Sequence, residues 1–411
     1  MLLLPTATYR TAAFVEAARR LDIALAVASE RPSAFEQAQP EGLLTLDFGN
    51  PAHAAEQAEA FARHQPIHGV VGVDDDTAIV AAHIATRLGL RGNPVEAAMA
   101  ARDKHRQLEL LSAARVPVPA YVLHRSDADS AAISAGVTYP CVIKPLLLSA
   151  SRGVIRADNP AEFVTAFRRL QAILAEPEVA ACGEPARQIL VERFVPGVEV
   201  ALEGLVTDGR LEVLALFDKP DPLDGPFFEE TIYVTPSRLP APAQEEIASV
   251  ARSAVAALGL TDGPVHAELR YNDRGAWLIE LAARSIGGRC SAALRFRGGE
   301  SLEELILRHA LRMPLDRPVR ESDASGVMMI PVPGAGKLLE VRGVEQARGV
   351  PLVEDVVITA HRGQVLVPLP EGSRYPGFIF ARGETPARVE GALRAAHRCL
   401  EFRLEPAGVP G

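Results

Sequence analysis

The sequence predicts an α+β protein of three domains, the first of which has a Rossmann-like parallel sheet. Over roughly the first 90 residues, short apolar runs alternate with amphipathic segments, as in a parallel sheet covered by helices. Beyond them, strands and helices follow in mixed order and include an antiparallel pair. The length of 411 residues allows two or three domains of roughly 150 residues each.

The first predicted domain comprises residues 1–95. Its expected elements, in order, are strand Met1–Leu4, helix Thr11–Leu21, strand Ile23–Ala28, helix Pro51–His64, strand Gly69–Val73 and helix Thr77–Leu88. No Gly-x-Gly-x-x-Gly motif follows a strand, so the dinucleotide-binding fingerprint is absent.

The second predicted domain comprises residues 96–315 and the third residues 316–411. In the second we expect helix Asp103–Ala114, strand Cys141–Lys144, helix Pro160–Leu174, strands Ile189–Glu192, Val198–Val206 and Leu211–Leu216, helix Pro240–Leu258, and a hairpin of Val265–Tyr271 with Ala276–Leu281. In the third we expect strands Gly326–Ile330, Val356–Thr359 and Phe378–Phe380 and a closing helix Thr385–Leu400. The segment Pro333–Leu338 is not a Walker A loop, because Pro331 and Leu338 replace its first glycine and its Ser/Thr. We predict a turn there.

Charge and composition exclude several classes of function. Lys plus Arg total 43 against 52 for Asp plus Glu, and the net charge of −9 argues against a nucleic-acid partner. No apolar run reaches the ~20 residues of a membrane span, and the N-terminus lacks the charged start of a signal peptide. The four cysteines form no Cys-x-x-Cys pair. We expect a cytoplasmic protein with neither a membrane nor a nucleic-acid partner.

Two glutamates in the predicted hairpin are candidate metal ligands. Glu268 alternates with His266 and Arg270 on one strand, and Glu280 lies on the partner strand, so the two carboxylates can converge. Facing carboxylates repel unless a cation lies between them, and hard oxygen ligands suit Mg²⁺. The alternative is a solvated sheet face, although the apolar neighbours of both glutamates indicate burial.

Three basic residues are candidate phosphate contacts. Arg284 follows Glu280 by four residues and precedes Gly287 and Gly288, so its guanidinium could hold a phosphoryl group with two hydrogen bonds. Lys104 and Lys144 lie at the start of a helix and the end of a strand. Taken singly, the arginine motif could be a surface turn and each lysine a solvated charge.

The segment Glu192–Glu199 joins two predicted strands through Pro196-Gly197. A turn backbone beside apolar side chains can pair with a purine edge, while a carboxylate takes the ribose hydroxyls. The alternative is a tight connection flanked by exposed acids.

The order and spacing of these pieces resemble the ATP-grasp superfamily over nearly the whole chain, in a three-domain layout like that of biotin carboxylase. The resemblance implies ATP and Mg²⁺, or Mn²⁺, as cofactors and Glu268 and Glu280 as metal ligands. It implies that Arg284 binds the transferring phosphoryl group as a catalytic residue. The residues implied to bind ATP are Lys104, Lys144, Ser151, Gly153, Glu192, Arg193, Phe194, Val195, Glu199 and His266, of which Ser151 and Gly153 lie in a glycine-poor counterpart of the mobile phosphate-covering loop.

One departure from the superfamily pattern indicates which family within the superfamily the chain resembles. Many ATP-grasp enzymes carry Glu-x-Asn-x-Arg, whereas this chain has Ala282 in place of the asparagine. The sequence Glu280–Arg284 looks like that of the L-amino-acid ligases, which are bacterial dipeptide synthetases. The residues implied to bind substrate are Lys219, Phe228, Glu229, Glu230, Arg284, Gly287 and Gly288. Either Glu229 or Glu230 could bind the ammonium of an amino acid or face solvent.

The resemblance implies an ATP-dependent ligase that joins the carboxylate of an amino acid, or an analogue, to an amine through an acyl-phosphate. The substrates are small molecules, and a homodimer is common among relatives. The alternatives are an ATP-grasp carboxylase, a purine-pathway ligase, or a non-catalytic nucleotide-binding protein. The sequence does not specify the two substrates, because loops build the pocket that selects them.

Overall fold

The computed structural model describes residues 1–6, 8–32, 42–315 and 318–406, so the predicted start of the third domain at residue 316 lies outside the described residues. The N-terminal part contains a parallel sheet of four strands in the order β3-β2-β1-β4. Its elements are β1 (Leu2–Leu3), α1 (Thr11–Arg20), β2 (Val27–Ser29), β3 (Leu43–Thr45), α2 (Pro51–Ala62), β4 (Val71–Gly72) and α3 (Asp75–Leu88). The predicted parallel sheet is confirmed, although β3 was not expected.

The start of α3 is fixed by its own side chains. Asp74 accepts a hydrogen bond from the backbone N–H of Thr77 (2.8 Å), and the Thr77 hydroxyl oxygen accepts one from the N–H of Asp74 (3.0 Å). This reciprocal cap satisfies two backbone donors that the first helical turn leaves unpaired. Asp75 follows directly, at the carboxyl end of β4, where parallel sheets place their ligand-binding residues.

The middle of the chain supplies a small antiparallel sheet and most of a large one. The elements before the large sheet are α4 (Val95–Arg102), α5 (Lys104–Ala113), β5 (Tyr121–Arg125), α6 (Ser130–Ser134), β6 (Cys141–Pro145), β7 (Ile155–Ala157), α7 (Pro160–Leu174), α8 (Pro177–Ala180) and β8 (Gln188–Arg193). The small sheet has the order β5-β8-β6-β7, and α7 covers one of its faces. The predictions for α5, β6, α7 and β8 agree with these elements, whereas α4, β5, α6, β7 and α8 were not expected.

The large sheet has eight strands in the order β13-β12-β9-β10-β11-β14-β18-β16. The remaining elements are β9 (Val198–Thr207), β10 (Arg210–Lys219), β11 (Ile232–Thr235), α9 (Ala241–Leu258), β12 (Asp262–Asn272), β13 (Gly275–Ala282), α10 (Leu302–Ala310), β14 (Ala324–Met329), β15 (Gly336–Arg342), α11 (Val344–Arg348), β16 (Val353–Ile358), β17 (Val365–Leu366), β18 (Gly377–Gly383), α12 (Pro386–Cys399) and β19 (Glu401–Pro406). Antiparallel pairing of β11 with β14 makes the sheet continuous across the predicted boundary between the second and third domains. The α+β fold class is confirmed, and the boundaries themselves stay predictions.

Two expectations for the C-terminal part need correction. The expected turn over Pro333–Leu338 is wrong at its end, since Gly336–Leu338 open strand β15 of a third sheet with the order β17-β15-β19. The closing helix is followed by another strand, β19, which pairs with β15. A local pattern could not reveal the pairing of β15 with β19, because the paired residues lie 59 to 70 positions apart, from Arg342 with Glu401 to Gly336 with Pro406.

One hydrophobic core joins the N-terminal part to the large sheet. Phe14 of α1 and Leu302 of α10 are buried in it together with Phe217 of β10 and Phe378 of β18. A second core lies between the large sheet and α9, whose Ile247 and Ala251 are fully buried. Across the described ranges, no helix is both long and apolar enough to cross a membrane.

We predict that Ser301→Ala lowers the free energy of unfolding by about 1 kcal/mol, because it removes the cap of α10. The Ser301 hydroxyl accepts from the N–H of Glu304 (3.2 Å), and the Glu304 carboxylate accepts from the N–H of Ser301 (2.7 Å). The control is Ser253→Ala in α9, whose exposed hydroxyl donates only within its own helix. Denaturant titration measures both. Equal stability of the two variants would contradict the role of the cap.

Candidate active site

A cavity of about 660 Å³ lies between the small antiparallel sheet, the large sheet and the N-terminal part. Residues from all three predicted domains line it. Sixteen of the predicted site residues are among them: Lys104, Lys144, Ser151, Glu192, Arg193, Phe194, Val195, Glu199, Phe228, Glu230, His266, Glu268, Glu280, Arg284, Gly287 and Gly288. Gly153, Lys219 and Glu229 do not line it.

These three residues have other surroundings. The Gly153 N–H donates to the carbonyl of Pro370 (2.8 Å), and a side chain at this position would meet Leu170. The Glu229 carboxylate accepts from the backbone N–H of Val332 (3.0 Å), which turns it away from the cavity wall. Lys219 is buried beneath the wall, with 3% of its side chain exposed. Of the acidic pair at 229 and 230, only Glu230 therefore faces the cavity.

Glu268 and Glu280 lie directly opposite each other on β12 and β13. A bulge follows Glu268, so Leu278 rather than Ile279 pairs with Leu269. Burial acts to raise the pKa of both carboxyls. At Glu268 Lys219 offsets only part of this effect and the pKa stays raised, whereas at Glu280 Lys104 and Lys144 outweigh it and the pKa is lowered. Both glutamates are partly exposed at the cavity wall, with 24% and 38% of their side chains accessible, and neither lies on an open sheet surface.

Both predicted phosphate-binding lysines are buried at the cavity wall. Lys104 lies 3.0 Å from Glu280 and also donates to the carbonyl of Leu148 (3.1 Å). Its position in the first turn of α5 is set by Asp103, whose carboxylate caps the helix. Lys144, on β6, lies 2.6 Å from Glu192. Since only 7% and 5% of these lysine side chains are exposed, the alternative of solvated surface charges is wrong.

Next to this pair, Glu199, Glu230 and Glu268 form an acidic cluster, with carboxylate oxygens within 4.8 Å of one another. The Lys219 ammonium lies between them, 2.8 Å from Glu199, 2.5 Å from Glu230 and 3.5 Å from Glu268. Burial would lower the pKa of Lys219, but the three carboxylates outweigh it and raise that pKa well above its usual value. Lys219 thus offsets part of the negative charge of the cluster, and Arg270 adds a second cation at Glu199.

Glu268 and Glu280 offer a donor set for a divalent cation, and Glu268 is shared with the acidic cluster. Carboxylate oxygens are the ligands that Mg²⁺ prefers, and both glutamates keep part of their surface open, 24% and 38%. The centre of the acidic cluster already holds the ammonium of Lys219.

His266 lies on the same strand face as Glu268. Its Nε2 is 3.4 Å from Glu268 and its Nδ1 is 3.5 Å from the fully buried Glu203 of β9. Burial lowers the pKa of His266, and Glu203 offsets part of that effect. The ring is thus held between two carboxylates, one facing the cavity and one beneath it.

The segment Glu192–Val195 lies at the far end of the cavity beside aromatic and basic side chains. The Phe194 ring has the guanidinium groups of Arg156 and Arg270 at 4.2 and 4.9 Å, and the Phe228 ring at 6.5 Å. Arg270 also donates to the carbonyl of Val195 (2.9 Å) and to Glu199 (2.9 Å). Phe228, expected to contact substrate, therefore lies beside the segment expected to contact the purine.

The predicted phosphate-covering loop, residues 149–154, contacts the C-terminal part of the chain. Ser151 lines the cavity with a positive φ of 56°. Arg152 donates to the carbonyl of Glu371 (2.9 Å) and pairs with Glu176. The loop is thereby held against the segment 370–375, whose Tyr375 also lines the cavity.

Arg284 opens a loop, residues 284–288, which we call the Arg284 loop. The Arg284 Nε donates to Asp75 (3.1 Å) of the N-terminal part. The cavity lining here includes Ile286 of the loop itself and the apolar or aromatic side chains of Tyr9, Cys290, Met329 and Phe378.

Sequence reasoning missed Arg10, Asp75, Tyr233 and Tyr375, which line the cavity, and Glu203, which is buried beneath it. For Asp75 a signal existed, since Asp74-Asp75-Asp76 follows a predicted parallel strand whose carboxyl end favours binding sites. The other four are ordinary members of helices, strands or loops. Only the folded chain brings them to the cavity.

The fold and the cavity define a class of protein in which buried lysines and facing carboxylates line a cavity between a small antiparallel sheet and a larger sheet. Three family matches agree with that class. Residues 137–293 match the ATP-grasp domain, residues 15–92 the ATP-grasp N-terminal domain, and residues 328–405 the L-amino acid ligase C-terminal domain 2. The chain belongs to the ATP-grasp superfamily, in its ligase family, as the sequence resemblance predicted.

The individual relatives have low sequence identity to this chain. Alanine–anticapsin ligase of Bacillus subtilis (strain 168) is 28% identical over 234 residues, which are 54% of this chain and 49% of that protein. This chain thus spans about half the length of such curated relatives. A crystal structure of L-amino acid ligase from Bacillus licheniformis is 25% identical, with a TM-score of 0.79 over 98% of both chains. N5-carboxyaminoimidazole ribonucleotide synthetase from Thermotoga maritima shares the fold, at 16% identity and a TM-score of 0.67 over 98% of this chain and 99% of that one.

We predict that Lys219→Met lowers the free energy of unfolding by about 3 kcal/mol at pH 8, because three buried carboxylates lose their cation. The loss should shrink towards pH 5. Burial raises the pKa of Glu230 and Glu268, and without Lys219 the folded variant binds protons more tightly than the unfolded chain. Denaturant titration at both pH values checks this, with Lys337→Met at an exposed site as the control. A loss of stability in Lys219→Met that is equal at pH 8 and pH 5 would contradict this prediction.

Proposed function

We propose that the protein is an ATP-dependent carboxylate–amine ligase that joins two amino acids or close analogues. One observation carries the proposal: Lys104, Lys144, Arg284 and the facing pair Glu268 and Glu280 converge on one cavity. The match of residues 328–405 to an L-amino acid ligase domain supports amino acids as substrates. Location in the cytoplasm and a homodimer stay predictions.

In the proposed complex, the purine lies against Glu192–Val195 and the phosphates extend towards Lys104 and Lys144. The Phe194 ring and the backbone of this segment offer an apolar surface with hydrogen-bonding groups, as a purine requires. Glu199 takes the ribose hydroxyls on the lone pairs that Lys219 and Arg270 leave open.

Glu268 and Glu280 would hold Mg²⁺, or Mn²⁺ in its place. Such an ion supplies positive charge to the phosphate oxygens during transfer. Lys104 and Lys144 supply further charge, and their burial makes each interaction stronger than it would be in water. The chain thereby neutralises the nucleotide from two sides.

The chemistry has two steps. An oxygen of the substrate carboxylate attacks the γ-phosphorus, and ADP leaves with the bonding electron pair. The amine nitrogen of the second substrate then attacks the acyl carbon and loses a proton, phosphate leaves and takes up that proton as hydrogen phosphate, and an amide results. Arg284 contacts the phosphoryl oxygens in both steps, where its planar guanidinium can donate two hydrogen bonds. The loop 149–154 excludes water that would hydrolyse the acyl-phosphate.

The walls of the cavity suit an amino acid. Next to the Arg284 loop, Ile286, Met329 and Phe378 present apolar surface for a side chain. Glu230 faces the cavity and can take an ammonium, although Lys219 and the Tyr233 hydroxyl (2.7 Å) already bind it.

We predict that Glu268→Gln and Glu280→Gln each lower turnover by about 100-fold, because a neutral amide is a poor Mg²⁺ ligand. Their stabilities should differ. Glu268→Gln should keep or raise stability, since burial already disfavours this charge, whereas Glu280→Gln should lower it by leaving Lys104 without its partner. ADP release and thermal melting measure the two effects. The control is Glu109→Gln, at an exposed position of α5. Turnover near that of the unaltered protein at saturating Mg²⁺ would refute a metal role.

We predict that ADP release requires a carboxylate substrate and increases when a second amino acid is added. A screen over amino-acid pairs with ATP and Mg²⁺, read by phosphate release and mass spectrometry, should find a dipeptide. Reactions with a single amino acid, and reactions with bicarbonate, are the controls. ADP release stimulated by bicarbonate alone, without any dipeptide, would favour the carboxylase alternative instead.

A further inference from the structure

We propose that Asp75 and Arg10 of the N-terminal part are positioning residues that hold Arg284 in its working orientation. The inference rests on the proposed function, in which Arg284 contacts the phosphoryl group. It gives the N-terminal part a role in the reaction, although the residues proposed to bind the nucleotide all belong to the middle part of the chain.

Asp75 holds the side chain of Arg284 directly. Its carboxylate accepts from the Arg284 Nε at 3.1 Å, and both side chains are largely buried, with 19% and 16% exposed. Bonding at Nε leaves one of the two terminal nitrogens, Nη2, free for a phosphoryl oxygen, while Nη1 donates to the carbonyl of Ser285 (3.1 Å). Burial would raise the pKa of Asp75, but Arg284, Arg102 and Lys104 outweigh it, so the carboxyl stays ionised.

Arg10 holds the backbone of the Arg284 loop. Its Nη1 donates to the hydroxyl of Ser285 (2.7 Å), and its Nη2 donates to the carbonyls of Ser285 (3.1 Å) and Ile286 (2.7 Å). From the opposite side, the N–H of Ile286 donates to the buried carboxylate of Glu203 (3.0 Å). The loop backbone is thereby fixed both from the large sheet and from the N-terminal part.

The contacts of Asp75 and Arg10 have the same physical effect, which is to restrict the orientation of Arg284. A long arginine side chain has many rotamers, and a transferring phosphoryl group is stabilised only by donors that already point at it. Among the described residues, Asp75 is the carboxylate that forms an ion pair with Arg284. Its own position is fixed because the cap of α3 orients the turn that carries it.

The test of Asp75 compares Asp75→Asn and Asp75→Glu with a matched control, Asp76→Asn. Asp76 is the next residue, but it is 73% exposed and pairs with Arg102 instead. With ATP, Mg²⁺, an amino acid and hydroxylamine, which traps an acyl-phosphate as a hydroxamate, we expect Asp75→Asn to lower kcat at least tenfold. The KM for ATP should stay within twofold, Asp75→Glu should recover part of kcat, and Asp76→Asn should behave like the unaltered protein. Equal kcat for Asp75→Asn and Asp76→Asn would overturn the inference.

A double-variant cycle separates positioning from general damage. If Asp75 acts through Arg284, then Asp75→Asn should have little further effect on kcat once Arg284→Ala is present. The inference would be overturned if Asp75→Asn lowered kcat by the same factor with and without Arg284→Ala. Melting temperatures of all variants identify any that fail to fold.

Arg10 is tested in the same way with Arg10→Gln, Arg10→Lys and the control Arg19→Gln. Arg19 belongs to the helix that follows Arg10 but is 75% exposed and pairs with Glu16. Arg10→Gln should lower kcat with little change in KM for ATP, and Arg10→Lys should recover only part, since lysine lacks the planar fork. A kcat for Arg10→Gln equal to that of Arg19→Gln would overturn the proposed role of Arg10.

A readout that needs no turnover distinguishes failure of the inference from failure of the proposed function. In protein labelled with ¹⁵N-arginine, the Nε–H of Arg284, assigned with Arg284→Lys, should exchange with solvent much faster in Asp75→Asn than in Asp76→Asn. Protection lost in this way would support the inference even if no amino acid yields a hydroxamate, in which case the proposed function alone fails. Equal exchange in both variants would overturn the inference even if dipeptides form.

Discussion

The structure around the cavity depends on one constraint, which is that buried carboxylates need cations beside them. Glu199, Glu230 and Glu268 lie within hydrogen-bonding or ion-pairing distance of Lys219, and Glu280 and Glu192 are paired with Lys104 and Lys144. Without these partners, the desolvation of so many charges in one place would exceed the whole stability of a typical domain. Residues that do not reach the cavity, such as Lys219, are therefore part of what makes the site possible.

The site is assembled from all parts of the chain. The large sheet supplies Glu268, Glu280 and the acidic cluster, α5 and the small sheet supply the two lysines, and the C-terminal part supplies Tyr375 and the contact that holds loop 149–154. The continuous pairing of β11 with β14 fixes the C-terminal part to the sheet that carries the glutamates. The geometry of the cavity thus follows from strand pairing over long sequence distances.

The fold by itself does not determine which reaction a member of this superfamily catalyses. The same fold is seen in N5-carboxyaminoimidazole ribonucleotide synthetase, at an identity that supports no inference about substrates. The chain's own indication of a substrate class is the match of residues 328–405 to an L-amino acid ligase domain. That match lies outside the residues proposed to bind phosphate.

The sequence by itself determined the fold class, the parallel N-terminal sheet and the convergence of Glu268 with Glu280, because periodicity and a short hairpin turn fix local strand faces. It also identified Lys104, Lys144 and Arg284 by their order along the chain. Only the tertiary structure decided that Lys219 is buried as a counter-ion, that Phe228 lies beside Phe194, and that Arg10 and Asp75 reach the Arg284 loop. These contacts join residues from about 10 to nearly 280 positions apart, and such pairings depend on how sheets and helices pack, which local sequence patterns do not encode.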